Sequence, residues 1–276
     1  YFHDDYKGTT VMRIKNPVHT LRFIVQLLFL LISMLFLAGI IVCGLPYTIH
    51  NLCPYSAVCF GFSKNFLCGL NSSAFGLTIA FSFLILVLAI FFGRLFCSFI
   101  CPLGTIQEYI FALFNKKSKK KKQVPHYLER RFSLVKYGVL AVTAILAIAG
   151  ISYIYIRFCP IYAISMLPYI AVLGLILALL IIIVGIFIER FWCRYLCPYA
   201  ALLNLFQYLG KVVGFPRFKI HRNLERCNDC GFCSLNCPMN IDLTEEEYVN
   251  NLDCILCFRC SKKCPKPDTL VWKKDK

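Results

Sequence analysis

Cys227-Asn228-Asp229-Cys230-Gly231-Phe232-Cys233-Ser234-Leu235-Asn236-Cys237-Pro238 and, after a short gap, Cys254-Ile255-Leu256-Cys257-Phe258-Arg259-Cys260-Ser261-Lys262-Lys263-Cys264-Pro265 decide what the C-terminal part of this chain folds around. Both runs spell C-x-x-C-x-x-C-x-x-x-C-P, the spacing of bacterial sites for cubane iron–sulfur clusters. Three cysteines at three-residue steps wrap one cubane. The fourth, displaced by one more residue and held by proline, serves the other cubane. The spacing therefore predicts one [4Fe-4S] cluster on Cys227, Cys230, Cys233 and Cys264, and a second on Cys254, Cys257, Cys260 and Cys237. Zinc knuckles pair C-x-x-C over longer gaps, and one zinc ion takes four ligands. A disulfide framework needs an oxidising compartment. The duplicated pattern argues against both.

Outside these runs the composition is not that of a soluble enzyme. The 276 residues are 59% hydrophobic and only 16% charged, away from the globular norm. Seventeen cysteines is an extreme count, and the two runs use only eight of them. A net charge of +16 could mean nucleic acid. The positive residues instead cluster in loops beside apolar stretches, which is the pattern of membrane topology and not of a DNA-binding face. The chain opens at Tyr1 without an initiator methionine, so a preceding segment is expected, and no cleavable signal peptide is legible.

Four apolar segments match the ~20 residues that cross a bilayer: Leu21–Cys43, Ala74–Phe96, Ser133–Ile156 and Tyr169–Ile188. Arg13, Lys15 and Arg22 stand before or at the start of the first. Lys116, Lys117, Lys119 to Lys122, Arg130 and Arg131 lie between the second and third. The other two loops carry little more than Lys64 and Arg157. The positive-inside rule then puts the N-terminus, the lysine loop and the C-terminal runs in the cytoplasm. The expected division is a cytoplasmic segment over 1–20, a membrane domain over 21–213 and a two-cluster domain over 214–276.

The membrane half reads as a duplication. Gly93-Arg94-Leu95-Phe96-Cys97-Ser98-Phe99-Ile100-Cys101-Pro102 closes the second span, and Glu189-Arg190-Phe191-Trp192-Cys193-Arg194-Tyr195-Leu196-Cys197-Pro198 closes the fourth. The outer loops echo each other as Cys53-Pro54 and Cys159-Pro160. Two hairpins of the same direction thus repeat, related by an axis along the membrane normal. Each C-x-x-x-C-P puts two thiols on one face of a helical turn. Proline then ends that helix and suits the first turn of the next. Brought together, Cys97, Cys101, Cys193 and Cys197 offer four soft ligands for one further iron–sulfur cluster at the inner side of the membrane. Arg94 and Arg190, three residues before each pair, would offset thiolate charge and donate hydrogen bonds to that cofactor. The bland reading, four inert buried thiols, does not account for the repeated spacing.

Four spans, two C-x-x-x-C-P motifs and a C-terminal two-cluster module resemble the membrane-bound ferredoxin-type 4Fe-4S family. That family includes the quinol-oxidising subunit of periplasmic nitrate reduction and membrane proteins of nitrous-oxide reduction and reductive dehalogenation. The resemblance runs from Leu21 to Lys276 and is most specific over Cys97-Ser98-Phe99-Ile100-Cys101-Pro102-Leu103-Gly104 and the two cysteine runs. It implies electron transfer between a cytoplasmic or quinone donor and an extracytoplasmic acceptor, through other redox subunits that include a flavin-binding partner. No flavin attachment domain is evident in this chain. The implied fold is an all-α membrane protein of four transmembrane helices in two repeated hairpins, carrying a small α+β bacterial-type ferredoxin domain. The implied location is the inner membrane of a prokaryote, multi-pass, with the ferredoxin domain inside.

Cys43, Cys53, Cys59, Cys68 and Cys159 map to the outer side. Tunnelling falls exponentially with distance, and a hydrocarbon core of ~30 Å is too wide for one inner cluster to serve an outer acceptor. Cys53 and Cys159, matched by the repeat, with Cys59 and Cys68, are candidate ligands of an outer relay. A disulfide arrangement is the rival, because an outer loop can be oxidising. His50 and His126 read as loop residues, not haem ligands. Glu189 reads as an ion-pair partner near the interface.

The reading reached on these grounds is a transmembrane electron conduit, an electron-transfer subunit with no catalytic residue of its own. One alternative is a menaquinol-oxidising subunit feeding a partner reductase. Another is a redox-sensing or maturation factor.

Overall fold

The computed structural model describes residues 16–43, 55, 73–115, 124–151, 155, 159, 172–244, 246–266 and 268–274. The first half is helical: α1 (Asn16–Cys43), α2 (Ser73–Phe92), the short α3 (Leu95–Phe99), α4 (Pro102–Phe114), α5 (His126–Phe132) and α6 (Val135–Ile148). Then follow α7 (Val172–Phe187), a single π-helical turn over Trp192–Leu196 and α8 (Pro198–Val213). α2 and α7 contain no charged residue, the composition of a helix that is apolar all round.

These helices stop where the backbone turns left-handed, not where the apolar run stops. α2 ends at Gly93, with φ 62°, and α6 ends just before Gly150, with φ 75°. Glycine adopts that conformation without a Cβ penalty. α6 is therefore shorter than the expected span to Ile156. α7 ends short of Arg190, which takes φ 55° without that exemption. Among the described residues, 127–148 is long and apolar enough to cross a membrane, and Thr20–Leu35, Ile79–Phe92 and Ile176–Phe187 are shorter apolar stretches.

The two repeats interlock. α4, which follows the first cysteine pair, packs against α7 of the second repeat and against α1. α8, which follows the second pair, packs against α2 of the first repeat and against α6. Gly210 makes the α8–α2 approach possible, because a Cβ there would stand 2.7 Å from Ile90 Cγ2.

α8 closes at Gly214, with φ 82°, and the chain enters a small C-terminal unit. Strand β1 (Phe218–Arg222) pairs antiparallel with β2 (Leu270–Lys274), Ile220 opposite Trp272. Between them, α9 (Phe232–Leu235) packs on α10 (Arg259–Lys263). The apolar core is continuous across this boundary: Ile85, Ala89 and Leu203 of the helices share it with Ile220, Ile255, Leu256 and Leu270. The C-terminal unit is therefore packed on the helices, not hung from a linker.

Candidate metal centres

The two cysteine corners are built alike. Cys97 sits in α3, Cys101 leaves it extended (φ −63°, ψ 113°), and Pro102 opens α4. Cys193 sits in the π-helical turn, Cys197 is extended (φ −72°, ψ 113°), and Pro198 opens α8. In both corners the second cysteine's N–H reaches a carbonyl five residues back: Cys101 to Phe96 at 3.2 Å and Cys197 to Trp192 at 2.9 Å. That bond is one residue longer than the α-helical one and widens the turn. Proline, with no N–H to place, starts the next helix.

The corners converge. Cys101 lies within electrostatic reach of Cys97 and Cys197, Cys193 of Cys101 and Cys97, and Cys197 of Cys193 and Cys97. Cys97 and Cys193 are buried. Gly104 allows the approach: a Cβ on it would stand 3.2 Å from Cys97 O, 3.3 Å from Arg190 Nη1 and 3.6 Å from Cys193 Sγ.

Arg94 and Arg190 act across the repeats. Arg94 Nη2 donates to the Cys193 carbonyl and Arg190 Nη1 to the Cys97 carbonyl, each at 2.7 Å. Each arginine of one repeat thus holds the cysteine backbone of the other. Both side chains are fully buried. In both, the Nε–H is buried and finds no hydrogen-bond partner among the described residues.

Two carboxylates that sequence reasoning passed over organise these cations. Glu108 on α4 accepts from Arg22 at 2.5 Å, from Arg259 at 2.6 Å and, closely, from Arg190. Asp253 in the C-terminal unit accepts from Arg94 at 2.6 Å, from Asn204 at 2.8 Å and, closely, from Lys136. Burial alone would raise the Glu108 carboxyl, but the guanidiniums of Arg190, Arg22 and Arg259 outweigh it and hold that group well below the carboxylate range. Burial likewise opposes Asp253, and Arg94 and Lys136 bring it down. Glu189 pairs with Arg259 at 2.5 Å. Among the described residues, five cations (Arg22, Arg94, Lys136, Arg190 and Arg259) therefore meet three carboxylates. A largely buried positive surplus is costly unless an anion offsets it, and an all-thiolate iron–sulfur cluster is such an anion. The unspent Nε–H donors fit the same group.

In the C-terminal unit, one pocket is lined by Cys227, Cys230, Cys233 and Cys264. Another is lined by Cys237, Cys254, Cys257 and Cys260. Each draws three cysteines from one run and the fourth from the other. Among the described residues no three His, Cys, Asp or Glu side chains close on a point as they would around a single ion. The second pocket adjoins the cysteine corners: Arg190 is within electrostatic reach of both Cys193 and Cys257, and Arg94 of Cys97 and Cys193 as well as of Cys254.

Of the expected outer ligands, Cys53, Cys59 and Cys68 lie outside the described residues, as do His50 and Lys116 to Lys122. Cys159 is buried. His126 opens α5.

The 4Fe-4S binding domain family matches residues 74–121 and 170–221, one match for each repeat and its C-x-x-x-C-P corner. The 4Fe-4S dicluster domain family matches residues 219–265. YccM of Escherichia coli (strain K12), a candidate electron transport protein by name, is 32% identical over 210 residues, 73% of this chain and 56% of its own length. The uncharacterized protein MJ0750 of Methanocaldococcus jannaschii is 32% identical over 209 residues, 75% of this chain and 82% of its own. The ferredoxin-type protein NapH of Escherichia coli (strain K12) is 25% identical, over 62% of this chain and 59% of its own. The chain thus spans little more than half of YccM. No solved structure matches it.

Proposed function

The chain belongs to the membrane-bound ferredoxin-type family of 4Fe-4S electron-transport proteins, and we propose on that premise that it conducts electrons across a prokaryotic inner membrane, between cytoplasmic carriers and an extracytoplasmic or membrane partner. The observation that carries this reading is the position of Arg94 and Arg190, each within reach of cysteines of the membrane corners and of the second C-terminal cavity. In it, Cys227, Cys230, Cys233 and Cys264 hold one [4Fe-4S] cluster, Cys254, Cys257, Cys260 and Cys237 a second, and Cys97, Cys101, Cys193 and Cys197 a third. When bound, such clusters take up and release single electrons. The protein's own contribution is to fix the ligands, exclude water with the shared apolar core, and neutralise charge through Arg94 and Arg190.

α1, α2, α5–α6 and α7 are the four crossings in this reading, with the cysteine corners, the lysine loop and the C-terminal unit on the cytoplasmic side. An outer relay on Cys53, Cys159, Cys59 and Cys68 belongs to the same proposal. Tyr55, two residues after Cys53, is buried, and its ring lies 6.4 Å from that of Tyr199, two residues after Cys197. The acceptor is another redox subunit, a flavin-binding protein among the candidates.

The test is a reconstitution. Vesicles containing the protein and a trapped one-electron acceptor dye should turn over when a membrane-impermeant reductant is added outside. Cys193→Ser should abolish that turnover. Equal dye reduction by the variant would refute the conduit.

One observation favours quinol oxidation as a second reading. An open groove of about 870 Å³ runs between α5–α6 and the C-terminal unit, lined among others by Lys136, Tyr137, Asn204 and Asp253. These are titratable or hydrogen-bonding groups beside the Cys254 loop, and Asn204 donates to Tyr137 Oη at 3.1 Å. Saturable binding of a menaquinol analogue, weakened by Tyr137→Phe, would support it.

A further inference from the structure

Glu108 and Asp253 stand on opposite sides of the contact between the membrane corners and the C-terminal unit, and they are wired with opposite polarity. Glu108 is a carboxylate of the membrane half. It binds Arg190, which holds the Cys97 carbonyl, and Arg259, the residue just before Cys260. Asp253, just before Cys254, is a carboxylate of the C-terminal unit. It binds Arg94, which holds the Cys193 carbonyl, and Lys136 of α6. Each carboxylate therefore links one cysteine corner, through an arginine of the other repeat, to the chain beside a cysteine of the second C-terminal set.

We propose that Glu108 and Asp253 are positioning residues that latch the C-terminal unit onto the membrane corners and set the electrostatic potential at the Cys97/Cys101/Cys193/Cys197 site. The inference rests on the cluster reading above. Neither carboxylate touches a cysteine sulfur. Each acts through an arginine whose one guanidinium arm holds a cysteine backbone and whose Nε–H is unspent. Removing a carboxylate charge leaves its arginines uncompensated beside the site, and uncompensated positive charge favours the reduced, more negative state. The sign of the effect follows: neutral variants raise the midpoint potential of the site.

The experiment uses the full chain, purified anaerobically, as Glu108→Gln and Asp253→Asn, with the charge-retaining Glu108→Asp and Asp253→Glu beside them. Iron per chain and a redox titration followed by electron paramagnetic resonance are the readouts, together with the rate of proteolytic release of the C-terminal unit. The proposal predicts retained iron, an upward shift of the corner site's midpoint in both neutral variants, faster release of the C-terminal unit, and near wild-type behaviour in the charge-retaining pair. An unmoved midpoint in both neutral variants overturns it. If both neutral variants lose iron, retention in the charge-retaining pair upholds the latch, and loss in all four overturns it as a folding defect. A wild-type chain without a corner-site signal would instead refute the underlying cluster reading.

Discussion

Among single side chains, the costly groups are the buried cations. Arg22, Arg94, Lys136 and Arg190 are each no more than 1% exposed, and stripping one partner from a buried pair costs about 3–5 kcal/mol. Depressed carboxylates contribute stability that is complete above their unfolded pKa and is lost only as pH falls through the folded one. For Glu108, whose ordinary value is 4.5 and whose folded value lies well below it, that loss falls entirely in the acid range. The stability difference between wild type and Glu108→Gln should thus be constant from neutral pH down to 4.5 and shrink only below. Thermal unfolding in detergent at stepped pH checks this, and a difference that already shrinks near neutral pH would show an ordinary carboxyl. The crossed cysteine sets give a second prediction. Cys264→Ser should damage the cluster on Cys227, Cys230 and Cys233 and spare the one on Cys254, Cys257 and Cys260, read as the loss of one of two distinct reduced-cluster spectra. Loss of the second-run spectrum alone would contradict the crossing. Arg94 and Arg190 were legible in the sequence because both stand three residues before a repeated cysteine pair. Glu108 and Asp253 were not, since their arginine partners lie 82 and 159 positions away and no local pattern announces a pairing at that range.

At the level of elements, the apolar runs announced the helices, while left-handed residues set their ends. Hydropathy measures preference for water and is blind to φ, so the runs read past Gly93 and Gly150, where the backbone stops the helices. Gly210 is a similar case. Within a helix, alanine is favoured over glycine by about 1 kcal/mol. Yet a Cβ at 210 would stand 2.7 Å from Ile90 Cγ2, a branch that is stiff at χ1, and overpacking costs about 1–3 kcal/mol. Gly210→Ala should therefore destabilise the protein, and it should become neutral or stabilising in an Ile90→Ala background. Thermal unfolding of the four proteins in this double-mutant cycle measures the coupling. Independent effects of the two substitutions would mean that α8 and α2 do not approach as described.

For the whole molecule, the two-cluster module followed from cysteine spacing, because the ligand geometry of a cubane is written in short steps of the chain, and the family from that spacing together with the four apolar segments and the repeated C-x-x-x-C-P corners. The seating of the C-terminal unit was not legible. It rests on a core that joins Leu203 to Ile220 and Ile255 and on ion pairs between distant segments. That seating makes the membrane corners and the second C-terminal set neighbours, and the claim that the corners hold a cluster is the one on which the conduit depends. Iron and acid-labile sulfide per chain, measured on anaerobically purified wild type and on the variant with Cys97, Cys101, Cys193 and Cys197 all changed to serine, test it most directly. The account predicts that the variant loses one cluster's worth of both iron and sulfide and keeps the two clusters of the C-terminal runs. Equal iron and sulfide in the two proteins would contradict it.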